Sequence, residues 1–325
     1  GVMHTAFRRL GFEYVFSTSF SADLTIMEEA TELVQRVTSG GPLPMFTSCS
    51  PGWVKFVEQF HPDFIKNLST CKSPQQMMGA IIKTYFAETH GIDPAKIFSV
   101  SVMPCTAKKF EVTRPTMGNN GVRDVDAVLT TREFAKMIRS GGLDLTKLEP
   151  TLADTPFGNR STAGKLFGAS GGVMEAALRT GYFLITGKEL ENLKFEAVRG
   201  LDGIKEARIP INDDLTIGVA VASGLANAQT LLEQIRNGRD DLHFIEVMTC
   251  PGGCVNGGGQ PFYQDEEAVR CRMQSLYKID QDGEIRCSHN NPAIQDLYEK
   301  FLGEPCGHKS HEILHTRYTK RETTI

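Results

Sequence analysis

The sequence predicts an α/β fold of two lobes, each with a mostly parallel sheet flanked by helices, meeting at a crevice. Three observations point there. Short β-rich runs alternate with helical patterns over most of the 325 residues, as in layered α/β proteins. A stretch rich in glycine, proline and polar residues, SGGLDLTKLEPTLADTPFGNRSTAG near 140–165, marks a boundary between two lobes. Cys49, Cys105 and Cys250 each fall at or just beyond the carboxyl end of a predicted strand, the edge at which open α/β sheets bind ligands.

Taken in chain order, GVMHTAFRRLGFEYVF opens inside a helix-like pattern, and the chain is expected to be cut from something longer. Strands are expected at 12–17, 44–48, 97–103, 126–131, 195–200, 216–223 and 243–248, and helices at about 23–37, 74–89, 131–139, 172–180, 223–236 and 292–302. No internal repeat or low-complexity segment interrupts them. A formal charge of −4 argues against nucleic acid or an anionic membrane as the main partner. No apolar run reaches the length of a membrane span, and no basic-then-apolar leader opens the chain, so the expected location is cytoplasmic.

Eight cysteines, at 49, 71, 105, 250, 254, 271, 287 and 306, are too sparse for a disulfide scaffold and read as core thiols, metal ligands or catalytic groups. Cys250 and Cys254 form a C-x-x-x-C pair among PGG and GGG turns, where glycine lets the backbone fold closely around a bulky group. Structural zinc generally takes two tight pairs and only one is visible; iron–sulfur clusters tolerate dispersed cysteines; two buried core thiols are the plain alternative. Cys71, Cys271, Cys287 and Cys306 show no ligand spacing and are taken as incidental, and His61, His311 and His315 as structural or exposed.

Glu29, Glu32 and Arg36 stand at i, i+3 and i+7 of a helix whose apolar face is Ile26, Ala30, Leu33, Val34 and Val37. On periodicity alone this stripe is a solvated edge with a local ion pair. The sharper reading is a row of proton-exchanging groups leading inward from solvent. The segment FGASGG at 167–172 precedes a helix but matches no phosphate-binding pattern, and close helix packing suits it better.

TSCSPGW, MPCTAKKFE and EVMTCPGGCVNGGGQP together resemble the H-cluster catalytic domain of the FeFe (iron-only) hydrogenases, and SADLTIMEEATE, SPQQ, FGASGGVMEAALR, RGLDGIKEA and HEILH extend the resemblance over nearly the whole chain. That family's cofactor, the H-cluster, is a four-iron, 4Fe-4S cubane joined through a cysteine sulfur to a di-iron subsite with CO, CN and dithiolate amine ligands. The resemblance implies Cys105, Cys250 and Cys254 as cubane ligands, Cys254 being the bridge, and Lys108 as the partner of a cyanide. It implies Gln75, Met103, Met248 and Phe167 around the di-iron unit, and a proton path through Cys49, Glu29, Ser69, Glu32 and Arg36, with Ser69 bridging the glutamates. Expected partners are a ferredoxin or an NAD-linked flavoprotein subunit, with upstream iron–sulfur domains or a small subunit.

Two departures stand out. Ser50 occupies the position from which the family's first motif supplies the fourth cubane ligand. Either its oxygen binds iron, or Cys49 turns inward to do so, or the cubane is impaired. The strand and the ferredoxin-like domains that precede this region in the family are also expected to lie outside the chain. Beside the hydrogenase reading stand two others: a non-catalytic iron–sulfur scaffold or hydrogen-sensing relative, and a zinc-stabilised binding module.

Overall fold

The computed structural model describes residues 1–119, 121–262 and 265–323. One lobe is built on a four-stranded sheet in the spatial order Met45–Phe46, Phe244–Met248, Thr216–Ser223, Ile204–Pro210. The first three strands run parallel and the last is antiparallel to its neighbour. Phe244–Met248 is buried at every position and Thr216–Ser223 at all but its first, as expected of strands covered on both faces. Trp53, Val54 and Val57 of helix Pro51–Phe60, with Ala228, Leu231 and Leu232 of helix Leu225–Arg236, pack on one face. Ile26 and Leu33 of helix Thr18–Ser39, with Val173, Met174 and Ala177 of helix Gly172–Thr186, cover the other.

The second lobe holds a two-stranded parallel sheet, Val100–Met103 with Ala127–Thr130. Helix Thr131–Ser140 follows directly and is fixed by a capping box in which the Thr130 hydroxyl and the Glu133 carboxylate each accept from the other's backbone amide. Residues 141–162 contain no strand or α-helix.

The observed elements depart from expectation in identifiable ways. FEYVFS at 12–17 is not a strand. Val15 pairs with Asp154, through the carboxylate and one backbone bond, and Ser17 already opens the long helix. FEAVRG at 195–200 makes a single 3-10 turn, Glu196–Val198. The strand beside it, Ile204–Pro210 (IKEARIP), was not expected, for it lacks a clear apolar pattern where Lys205, Glu206 and Arg208 interrupt it; it is an edge strand ending in proline, where such residues blunt further pairing. Helices Pro51–Phe60, Glu266–Gln281 and His308–Leu314 were likewise not foreseen. No helix of the described residues is long and apolar enough to cross a membrane.

Candidate functional site

Three loops leave the carboxyl ends of Met45–Phe46, Val100–Met103 and Phe244–Met248 and close around one cavity of about 400 Å³. Cys49, Ser50, Cys105, Lys108, Cys250 and Cys254 line it, with Gln75, Met103, Phe167 and Met248 among the remaining walls. The structure thus gathers ten of the sequence-derived site residues in one place.

The loops meet closely because glycine allows it. Gly253 has φ +95°, and a Cβ there would lie 2.6 Å from the Ser170 nitrogen; a Cβ on Gly257 would lie 2.0 Å from the Pro104 carbonyl oxygen. Gly259 N in turn donates to Pro104 O at 2.8 Å. The loop carrying Cys250 and Cys254 is thereby laid directly on the loop carrying Cys105.

Burial raises the pKa of both thiols in the pair, Cys254 to about 12 with Cys105 adding to the effect. Such thiols keep their protons until a cation replaces them. Groups whose donor atoms all lie within 4.8 Å of one another occur elsewhere among the described residues, but the cavity thiols do not form one. That spread is too wide for a single zinc ion, whose ligand atoms sit about 3.3–3.8 Å apart, and suits a larger cluster. On donor type, spacing and cavity size, the residues present fit an iron–sulfur group at three corners.

The fourth corner is different. The Ser50 hydroxyl lies 2.6 Å from the Thr249 hydroxyl and accepts from Thr249 N at 3.4 Å. Ser50 also sits at the amino cap of helix Pro51–Phe60 without a side-chain capping bond. Its oxygen is held by a neighbour from the Cys250 loop and is a harder, poorer iron donor than a thiolate.

Lys108 supplies the buried cation. Its Nζ donates to the Cys49 carbonyl oxygen at 3.1 Å and to Glu111 Oε2 at 3.0 Å. The same Glu111 oxygen accepts from the Ser73 hydroxyl at 2.9 Å and Gln75 Nε2 at 3.2 Å, while Gln75 Oε1 accepts from the Ser101 hydroxyl at 2.6 Å. Glu111 was not singled out from the sequence, although it stands at i+3 from Lys108 inside MPCTAKKFE. A buried lysine needs a counter-charge, and that spacing was the available signal.

The charged stripe of helix Thr18–Ser39 is not a solvated edge. Glu29 and Ser69 are fully buried and Glu32 is 8% exposed. The Ser69 hydroxyl donates to Glu32 Oε2 at 2.9 Å, and Thr70 N donates to the same oxygen at 3.0 Å. Neither Glu29 oxygen has a hydrogen-bond partner among the described residues. Ser69 and the Ser48 backbone act on Glu29 to lower its pKa but do not reach it in hydrogen-bonding geometry, so the expected Ser69 bridge is formed on the Glu32 side alone. Burial, reinforced by the charge of Glu32, raises Glu29 to about 8. Burial, with Glu29 next in effect, raises Cys49 well above the ordinary thiol range.

Arg36 donates to Glu32 Oε1 at 2.6 Å and to the Leu68 carbonyl at 2.9 Å, with longer bonds to Pro42, Lys66 and Asn67. Glu32 and Arg36 border a second, outward cavity of about 310 Å³.

FGASGG is explained by packing. The carboxylate of Glu246, from the EVMTC segment, accepts from Gly171 N and Met174 N at 2.7 Å each, filling the amino terminus of helix Gly172–Thr186. A Cβ on Gly171 would meet the Val198 carbonyl oxygen at 1.8 Å.

Three loops that carry thiols to one cavity, with a buried lysine beside it, define an iron–sulfur protein of the α/β class. More specifically, the chain belongs to the iron-only hydrogenase family: residues 1–258 match the model of the iron only hydrogenase large subunit, C-terminal domain, and residues 266–321 that of the iron hydrogenase small subunit. The small subunit, expected as a separate partner, therefore has its counterpart within this chain. Iron hydrogenase 1 of Clostridium pasteurianum is 49% identical over 325 residues, covering 98% of this chain and 56% of that protein. The NADP-reducing hydrogenase subunit HndD of Solidesulfovibrio fructosivorans is 50% identical over 330 residues, covering 99% and 56%. The chain thus spans a little over half the length of these curated relatives. The structure of an apo FeFe-hydrogenase HydA1 variant from Chlamydomonas reinhardtii superposes with a TM-score of 0.88 at 43% identity, covering 99% of this chain and 88% of that one. More distant relatives, 31–35% identical, are named cytosolic iron–sulfur assembly components or factors.

Proposed function

We propose that this is the catalytic domain of an FeFe hydrogenase, interconverting dihydrogen with two protons and two electrons in the cytoplasm. One observation carries the reading: between the thiol-lined cavity and the outward cavity at Arg36 stand the buried groups Cys49 and Glu29 and then the hydrogen-bonded set Ser69, Glu32 and Arg36, with Glu29 left unpartnered to exchange a proton on either side. A cluster scaffold needs the first part of that line but has no use for the rest.

Cys105, Cys250 and Cys254 would hold the H-cluster, which when bound supplies the metal at which protons and electrons combine. Lys108 Nζ, already facing the Cys49 loop, would hydrogen-bond an anionic ligand in a dry pocket, where such a bond is strongest. Met103, Met248 and Phe167 exclude water from that side, and Gln75 is fixed by Ser101 and Glu111. Cys49 Sγ keeps its proton at neutral pH and passes it singly. Glu29, with a pKa of about 8, is poised to take or give a proton near neutrality. The Ser69 hydroxyl hands it to Glu32 Oε2. Arg36 holds Glu32 in place; a guanidinium does not itself give up a proton at neutral pH.

Electrons are supplied by a ferredoxin or an NAD-linked flavoprotein partner, directly or through upstream iron–sulfur domains. Outside the cavity, no metal-ligand group among the described residues gathers more than one cysteine. The second reading, a non-catalytic scaffold or a hydrogen-sensing relative, is favoured by Ser50 and by the assembly-factor relatives. Exchange of dihydrogen with deuterated water by the matured chain separates the two, since it needs no external electron carrier. The hydrogenase reading expects exchange at a rate that falls in Glu32→Gln; no exchange above the metal-free control leaves the scaffold.

A further inference from the structure

We infer that Cys306, His315 and Glu28, with His311 beside them, form a binding site for a single borderline-soft divalent cation of the zinc class at the outer end of the Glu29–Glu32 line. The Cys306 sulfur, a ring nitrogen of His315 and a Glu28 carboxylate oxygen all lie within 4.8 Å of one another. A tetrahedral ion with bonds of about 2.0–2.3 Å wants its donors about 3.3–3.8 Å apart, an adjustment of at most about 1.5 Å that side-chain rotation supplies. Thiolate, imidazole and carboxylate together are a zinc donor set, and their two negative charges balance the ion.

The surroundings aim these donors. The Thr70 hydroxyl lies 2.7 Å from His315 Nδ1, leaving Nε2 facing Glu28 Oε2 at 2.9 Å. The Tyr298 hydroxyl bonds the other Glu28 oxygen. Metal-ligating histidines and carboxylates are fixed by outer partners of this kind. HEILH at 311–315 spells H-E-x-x-H; His311 stands in the last turn of helix His308–Leu314 and His315 just past its end in extended backbone, and their rings stack with centroids 4.3 Å apart. The three donors leave a fourth position, which a turn of the His311 side chain, now stacked on His315, would fill; the ion would then be enclosed, as in a structural or regulatory site rather than an open catalytic zinc. Ions have a way in: Cys306, His311 and His315 border the outward cavity, and Cys306 and His311 also line a groove on the surface beyond. On binding, the Cys306 thiol proton and any proton on His315 Nε2 pass to solvent.

His315 also lies within 4.8 Å of donor atoms on Glu32 and Cys71. A divalent ion there sets positive charge beside Glu32 and stops the cavity through which that carboxylate meets solvent. This consequence, unlike the site itself, rests on the proposed hydrogenase function.

The test titrates zinc chloride into the cluster-loaded chain, with iron content followed throughout. One equivalent is expected to bind, and zinc-edge absorption should give one sulfur at about 2.3 Å with nitrogen or oxygen neighbours at about 2.0–2.1 Å. Cys306→Ser should weaken binding at least ~10-fold and remove the sulfur, and His311→Ala, on the rim of the groove, should weaken it while leaving the fold intact. Cys271→Ser, at an exposed cysteine elsewhere, should change nothing. Binding weaker than about 100 µM, or a sulfur signal that survives Cys306→Ser, would overturn the site. Zinc that binds as expected without slowing dihydrogen exchange would overturn the link to the proton line.

Discussion

Ser50 is the residue at which the family pattern and this chain part, and its geometry makes a definite forecast. A neutral hydroxyl engaged with Thr249 is a weak iron donor, so Ser50→Cys should raise iron bound per chain or shift the cubane's reduction potential after reconstitution. Equal iron content and potential in variant and parent would remove position 50 from the ligand set. Glu32→Gln keeps shape and hydrogen bonding but removes a titrating group. Turnover should then fall by about 10²–10⁴-fold, the usual contribution of general acid–base groups, with iron content unchanged. Glu29 gives a forecast without any cofactor. Its pKa rises from an ordinary 4.5 to about 8 on folding, so between those values the native state binds the extra proton. Stability is then greatest at the acid end and declines as pH rises, at up to roughly 1.4 kcal/mol per pH unit. Denaturant titrations of Glu29→Gln should show that slope flattened, and an unchanged slope would mean that Glu29 ionises freely in the fold. At this scale the sequence was most legible in marking residues that share one cavity, as with Cys105, Lys108 and Cys254. It was least legible for Glu246, whose partners Gly171 and Met174 are brought to it only by the fold, whereas Glu111 had a local signal in its spacing from Lys108.

Elements place those residues, and the glycine loop is the most demanding of them. Gly257→Ala sets a Cβ 2.0 Å from the Pro104 carbonyl, which is backbone and cannot swing aside. The Cys250 and Cys105 loops should be forced apart, and the variant should bind less iron while its far-ultraviolet dichroism is kept. Iron content equal to the parent's would show that the loops close by another route. The central strands and most long helices were readable because their apolar runs are buried on both faces or carry a clear period. Ile204–Pro210 was hidden because its apolar run is broken by Lys205, which is buried against Ser170 and Gly200, and by Glu206 and Arg208 on the exposed side of an edge strand. FEYVFS misled for the opposite reason: it has strand-like residues but finds no neighbouring strand to complete a ladder. The stripe on helix Thr18–Ser39 shows the limit of periodicity, which marks a face but not what covers it. Here the segment Leu68–Cys71 lies over it and turns a surface edge into a buried line.

At the scale of the whole molecule, helix Thr18–Ser39 joins the lobes and the carboxyl-terminal segment. Asp23 accepts from Ser161 N at 2.7 Å, Ser288 at 2.9 Å and Asn291 at 3.0 Å, and Glu28 accepts from Cys306 N at 2.6 Å and Tyr298. Two buried carboxylates thus fasten the part that matches the small subunit to the helix that carries Glu29 and Glu32. None of this was readable in sequence, because it links residues more than 100 positions apart. The central claim is that this assembly holds a di-iron site with CO and cyanide, rather than an iron–sulfur cluster alone. Infrared spectroscopy of the chain after anaerobic reconstitution and maturation tests it most directly. The account predicts bands of metal-bound CO and cyanide that are lost in Cys254→Ser; a fully iron-loaded, matured chain without those bands would contradict it.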